Sequence, residues 1–191
     1  MSLPTLPLLV LIANIANLIT SVSPTTAGGL STFTLSSATF ADNTRVPQSI
    51  VFNGVAGNKC TGGNESPQLS WANPPRGTKS FAVLMFDVSA SFTHWGMYNI
   101  APTTFSLNAD AGIASSKYGA QIINDFHVAA RYDGPCPRPG IVHHYVITAY
   151  ALDERLTLPS QPSFQPKAET LFNAMLGHVL GSASITGLYS T

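Results

Sequence analysis

Charge is what this chain has least of. Only 9% of its residues are Asp, Glu, Lys or Arg, against about a quarter in an ordinary globular protein. Acidic and basic residues balance at nine each, so the formal net charge is zero. A nucleic-acid-binding surface needs a basic surplus, and there is none. An anionic partner therefore has to be held by a local site.

Long apolar runs are also missing. No charged side chain precedes Asp42, and the stretch from Leu6 to Ile19 is apolar. That stretch is shorter than the roughly 20 residues a membrane helix needs, and Asn14 and Asn17 interrupt it, so no stable transmembrane span is expected. It suits the apolar core of a secretory signal, with Thr25-Thr26-Ala27 as small residues before a cleavage at Gly28. Residues 1–27 are predicted to be a signal peptide although Lys and Arg are absent from their start, and the protein is expected to be secreted or extracytoplasmic. Residues 28–191 are predicted to form one domain, large enough to bury a core.

Cysteine is scarce: Cys60 and Cys136 are the two. In a secreted chain an even pair predicts a disulfide. Such a bond closes a long loop, and the chain-entropy argument values it at about 4 kcal/mol. Asn64-Glu65-Ser66 is an N-glycosylation sequon, with Pro67 after it working against its use.

From Thr32 onward, short apolar runs alternate with Pro, Gly, Asn and Ser. Strands are expected at Phe33–Leu35, Ser49–Phe52, Gln68–Trp71, Ser80–Phe86, His94–Ile100 and Val142–Ala151. Helical spacing of Ala168, Leu171, Phe172, Met175 and Leu176 predicts a helix over 167–180, and alternation predicts a closing strand over 182–189. This pattern reads as a mainly β protein, a sandwich with one helix near the C-terminus. Trp71 and Trp95 are expected in the core, and His127 and His178 at the surface or satisfied within it.

The densest chemistry lies in Gly134-Pro135-Cys136-Pro137-Arg138-Pro139-Gly140-Ile141-Val142-His143-His144-Tyr145. A rigid turn there delivers imidazoles to the start of a buried strand. Alternation puts His143 and Tyr145 on one face and His144 on the other. Asp87 ends the apolar run Ser80–Phe86, and a carboxylate buried there needs a donor or a positive charge beside it. His94 and His143 are the candidates. One carboxylate and two imidazoles fit an anion site, a metal site or part of a catalytic triad, while as bare residues such histidines are more often structural. The wide spacing of the histidines and the absence of a Gly-x-Ser-x-Gly elbow weigh against the second and third. Asn124-Asp125 reads as turn chemistry.

Four ordered segments resemble the phosphatidylethanolamine-binding protein family, in its bacterial Raf-kinase-inhibitor-like branch. They are Cys60–Trp71 with Pro75–Ala82; Asp87; His94-Trp95 running to Tyr98-Asn99-Ile100; and Asn124-Asp125-Phe126 with Gly134–Pro137, His143-His144-Tyr145 and Tyr150–Asp153. The similarity extends from about Thr32 to the C-terminus. It implies a β-sandwich with a few peripheral helices, and a small pocket for phosphate-type anions or phospholipid head groups lined by Asp87, His94, Pro135, His143 and Tyr145. It implies a binding protein rather than an enzyme, with no cofactor and no metal. The alternative is an inhibitor of a kinase or a serine protease in which the pocket is regulatory or vestigial.

The chain departs from that family at one loop. Asp87-Val88-Ser89-Ala90-Ser91 stands where the family has Asp-Pro-Asp-Ala-Pro. Without the prolines the loop is expected to be less constrained. With one carboxylate fewer, the site is expected to favour anions over amines. Phe126-His127 replaces the family's Phe-Gly, which predicts a different turn there.

Overall fold

The computed structural model describes residues 32–54, 60–127, 129–158 and 166–191. The signal peptide and linker expected over 1–31 lie outside the described residues. The strands in chain order are β1 (Thr34–Ser36), β2 (Thr44–Arg45), β3 (Asn53–Gly54), β4 (Cys60–Thr61), β5 (Leu69–Ala72), β6 (Ser80–Asp87), β7 (Phe92–Ile100), β8 (Ser106–Leu107), β9 (Ala120–Gln121), β10 (His143–Leu152) and β11 (Val179–Tyr189). One α-helix is present among the described residues, α1 (Ala168–Met175), with a single 3-10 turn at Gln48–Ile50. Six strands form the main sheet in the order β2-β11-β10-β6-β7-β9, three form a second sheet, β1-β5-β8, and β3 pairs with β4. The chain is mainly β, as expected.

The continuous apolar run of β6 is buried on both faces. Phe81, Val83 and Met85 point into a core shared with Leu35, Leu69, Trp71 and Leu107 of the smaller sheet. Ala82, Leu84 and Phe86 point the other way, against Ala168, Leu171, Phe172 and Met175 of α1. The i, i+3, i+4, i+7 spacing of those four residues puts them on one helical stripe. Each fully buried large side chain in these cores contributes about 2 kcal/mol. Trp71 and Trp95 are both core residues, 4% and 0% exposed.

Two sequence expectations fail. The helix stops at Met175 rather than reaching residue 180. Gly177 takes the left-handed conformation (φ +83°) and His178 N–H donates to Met175 O at 3.0 Å, so the chain reverses and Val179-Leu180 open β11. Ser49–Phe52 is not a strand. Its Ile50 and Val51 N–H groups close the local 3-10 turn onto Pro47 O and Gln48 O (both 3.2 Å), and its other backbone bonds go to remote partners: Ser49 O accepts from Glu65 N–H (3.0 Å), Val51 O from Asn64 N–H (2.8 Å), and Phe52 N–H donates to Pro135 O (3.0 Å). Ile50 and Val51 are consecutive and both buried, which a ladder strand with one wet face does not allow.

Cys60 and Cys136 are disulfide-bonded, with Cα atoms 5.9 Å apart and 76 positions between them in sequence. The bond fastens the Gly134–Pro137 turn to β4. Asn64 is not a free acceptor for a glycan: its Nδ2 donates to Asp133 Oδ1 (3.0 Å) and its Oδ1 accepts from Gly134 N–H (2.8 Å).

Candidate functional site

Strand parity brings the site residues together. The face of β6 that carries Phe81, Val83 and Met85 ends in Asp87, and Tyr145 of β10 is its register partner. His143, two residues before Tyr145, shares that face; the two rings lie 6.3 Å apart at 24°. His144 is exposed on the opposite side, as alternation predicts.

His94 arrives by a different route. In the β6–β7 ladder Met85 pairs with Trp95 but Phe86 pairs with Thr93, so His94 is the extra residue of a β-bulge. Plain alternation would turn His94 and Trp95 to opposite faces. The bulge turns His94 to the side of Tyr145, with ring centroids 5.2 Å apart.

Asp87 is 2% exposed, and its carboxylate is fully engaged. Oδ2 accepts from His143 Nδ1–H at 2.7 Å. Oδ1 accepts from the backbone N–H groups of Ser89 (2.8 Å) and Ala90 (3.2 Å). A buried carboxylate is tolerable on these terms, with donors replacing water. Ser89 Oγ accepts from His144 N–H at 3.0 Å. These three hydrogen bonds tie the loop that lacks prolines to Asp87 and to β10.

His94 is buried, and its Nδ1–H donates to Asp133 O at 2.7 Å. A carbonyl only accepts, so this bond fixes the tautomer and leaves Nε2 as the acceptor. Desolvation lowers the imidazole pKa below its usual 6.5, outweighing the Asp133 carbonyl and the charges of Asp87, Asp125 and Asp133. Tyr145 moves the other way: burial first, then the adjacent Asp87 carboxylate, push its phenol well above the ordinary tyrosine range. At neutral pH His94 offers a lone pair, and Tyr145 keeps its proton in a hydrogen bond to the Asp87 side chain.

Behind His94 stands a buried polar cluster. Asp133, 1% exposed, accepts from Asn64 Nδ2 (3.0 Å) and Asn124 Nδ2 (2.9 Å), and pairs with Arg131 Nη2 at 3.2 Å. Asn124 also makes the expected turn, its Oδ1 accepting from Phe126 N–H at 3.1 Å. His127 adopts φ +59°, the left-handed conformation a glycine takes easily, so the Phe126-His127 turn forms with a histidine in place. His127 is exposed, and His178 is half-buried with its Nδ1 2.9 Å from Asp153 Oδ1.

These residues open onto a cavity of about 510 Å³. Asp87, His94, His143 and Tyr145 form its polar side; Ala90, Phe92, Phe126 and Ile141 form an apolar side; Cys136, Pro137 and Arg138 close it. Four of the five expected residues thus converge. Pro135 does not: it is buried behind the wall, its carbonyl accepting from Phe52 N–H, and Pro137 takes its place. Sequence reasoning also missed Phe92, Phe126, Ile141 and Arg138 as lining residues. The position of Arg138, a cation inside the Pro-rich turn next to the candidate histidines, was a usable signal. Among the described residues no group of three or more His, Cys, Asp or Glu is placed to hold a metal ion, and no helix is long and apolar enough to cross a membrane.

Strand ends of a two-layer β fold thus deliver a carboxylate, two imidazoles and a phenol to one cavity, of the size that small-molecule sites occupy. The family model described as phosphatidylethanolamine-binding protein matches residues 36–190, and the chain belongs to that family. It is 40% identical over 136 residues to a UPF0098 protein of Methanothermobacter thermautotrophicus, covering 68% of this chain and 85% of that one. It is 36% identical over 157 residues to the UPF0098 protein YbhB of Escherichia coli, covering 78% and 94%. The crystal structure of Escherichia coli YbcL, described as a new member of the mammalian PEBP family, superposes with a TM-score of 0.73 at 28% identity, covering 84% of this chain and 99% of that one.

Proposed function

We propose that this chain is a secreted, non-enzymatic binding protein whose cavity takes a phosphate-type anion, free or as a phospholipid head group. The carrying observation is the Asp87–His143 bond at 2.7 Å. It holds the imidazole by Nδ1 and turns Nε2 to the ligand, where it donates to an anion when the ring is protonated against the Asp87 carboxylate and accepts when the ring is neutral. Arg138 adds a cation at the cavity wall, and the Tyr145 phenol, hydrogen-bonded to Asp87, braces the carboxylate that orients His143. The neutral His94 supplies the complementary acceptor, suited to a protonated phosphate oxygen or an ammonium group. The Cys60–Cys136 disulfide supports an oxidising, extracytoplasmic setting.

Calorimetric titration with inorganic phosphate and with phosphoethanolamine tests this reading. Saturable binding that is lost in His143→Ala supports it. Absence of heat at millimolar ligand, in protein shown to be folded, contradicts it.

A second reading is protein contact, with a kinase or serine protease as the partner. The exposed apolar residues Ile141 (66%), Val142 (49%) and Val88 (42%) beside the cavity mouth favour it. Inhibition that survives in His143→Ala would select this reading.

A further inference from the structure

Cys136 belongs to the cavity wall and to the disulfide at once. It lines the cavity together with its chain neighbours Pro137 and Arg138. The segment that leads to it is fastened to residues 50–64 at every step. Gly134 N–H donates to Asn64 Oδ1 (2.8 Å), Pro135 O accepts from Phe52 N–H (3.0 Å), and Cys136 is joined to Cys60. Past Cys136 the grip loosens: Pro137 O accepts from Thr191 Oγ1 at 3.2 Å, and Arg138, Pro139 and Gly140 are exposed. The disulfide is therefore the last covalent anchor before the residue that brings a cation to the cavity.

We propose that the pocket is redox-gated, with ligand affinity and the Cys60–Cys136 disulfide thermodynamically coupled. This rests on the anion-pocket reading. With the bond closed, Arg138 is presented at a fixed place on the wall. With the bond open, the Cys136–Arg138 segment loses its covalent tie to β4, and ordering it becomes a cost of binding. Linkage makes the effect reciprocal: if oxidation tightens ligand binding by some factor, ligand makes the disulfide harder to reduce by the same factor.

The exchange reaction has a defined entry. Cys60 is 5% exposed, whereas Cys136 is half-buried on the cavity wall. A thiolate of dithiothreitol attacks Cys136 Sγ, the S–S bond breaks, and Cys60 leaves as a thiolate that takes up a proton. The second thiol of the reagent then attacks its own sulfur in the mixed disulfide. It releases the Cys136 thiolate and leaves cyclic oxidised dithiothreitol. Two electrons pass to the protein. A ligand in the cavity sits over the attacked sulfur.

The test uses the full chain, oxidised and dithiothreitol-reduced, with inorganic phosphate as the probe. Amide spectra first establish that the reduced protein keeps its fold. Phosphate affinity is then measured in both forms, and the fraction of disulfide is measured across a dithiothreitol redox series with and without phosphate. The expected result is affinity weakened on the order of tenfold by reduction, and the reduction midpoint shifted by the same factor in saturating phosphate. Equal phosphate affinity in both forms overturns the coupling and leaves the anion pocket standing. Global unfolding on reduction also overturns it, because the effect is then not local to the wall. No phosphate binding by the oxidised protein overturns the anion-pocket reading and the coupling with it.

Discussion

His143 Nδ1 lies 2.7 Å from Asp87 Oδ2, joining the first residue of β10 to the last residue of β6. The two strands are neighbours in the main sheet, and their ladder runs from Tyr145↔Asp87 to Leu152↔Ser80. The site thus stands at the end of a long antiparallel ladder whose β6 strand is buried on both faces, which gives its side chains a rigid base.

Replacing Asp87 with Ala removes the acceptor of the hydrogen bonds from His143, Ser89, Ala90 and Tyr145. The expected stability loss is about 3 kcal/mol, since these donors lose a charged partner. Urea unfolding measures that loss. Phosphate titration of the folded fraction should show binding lost as completely as in His143→Ala.

His94 makes stability pH-dependent. Its folded-state pKa is lowered by burial, so the unfolded chain takes up a proton more readily than the folded one. The stabilisation is complete above the unfolded value near 6.5 and is lost as pH falls from there toward the folded pKa. The slope within that window approaches about 1.4 kcal/mol per pH unit. Unfolding free energies at pH 7.5, 6.5 and 5.5 should fall in wild type and flatten over this window in His94→Gln, which retains an amide donor for Asp133 O.

Tyr145→Phe isolates the phenol. The ring packs beside His94 and His143 and is retained, so stability should change by about 1 kcal/mol or less. Phosphate affinity should drop by up to about tenfold, because the Asp87 carboxylate that orients His143 loses one of its donors. Because the phenol is pushed well above its usual range, wild-type binding should show no loss assignable to Tyr145 ionisation up to about pH 10.

Gly134 is irreplaceable for a steric reason. A Cβ there would lie 2.0 Å from Ile50 O and 2.8 Å from Phe52 N, both backbone atoms that cannot step aside singly. Gly134→Ala should destabilise by about 3 kcal/mol and displace the wall that carries Cys136 and Arg138. Thermal melting and the phosphate affinity of the folded fraction report the two effects separately.

How far the sequence could be read depended on where each residue finds its partners. The long strands were legible because β6 and β10 carry their own patterns, a continuous apolar run and a regular alternation. That alternation also paired His143 with Tyr145, and the apolar run of β6 set Asp87 at a strand end. His94 was named beside Asp87 from the residues, but the face it takes was not legible: local alternation hides the bulge, which exists only in the register against β6. Ser49–Phe52 was misread because its bonds are a local 3-10 turn onto Pro47 and Gln48 and reaches to Asn64, Glu65 and Pro135, not a strand ladder. The helix was read too long because Gly177 ends it by conformation while the apolar pattern runs on. Arg138 and Phe92 reach the cavity wall only through the folded turn and strand end that bear them. Pro135 was placed on the cavity when its carbonyl in fact faces Phe52.

The central claim is that Asp87 and His143 work as one anion-binding pair, with His94 as a neutral partner. The most direct measurement is the ¹⁵N shift of each imidazole nitrogen during titration with inorganic phosphate at neutral pH. The account predicts a saturable change at His143 Nε2, Nδ1 of His143 remaining protonated toward Asp87, and His94 staying neutral with its proton on Nδ1. Shifts confined to exposed His127 and His144, with His143 and His94 unmoved at saturating phosphate, would contradict it.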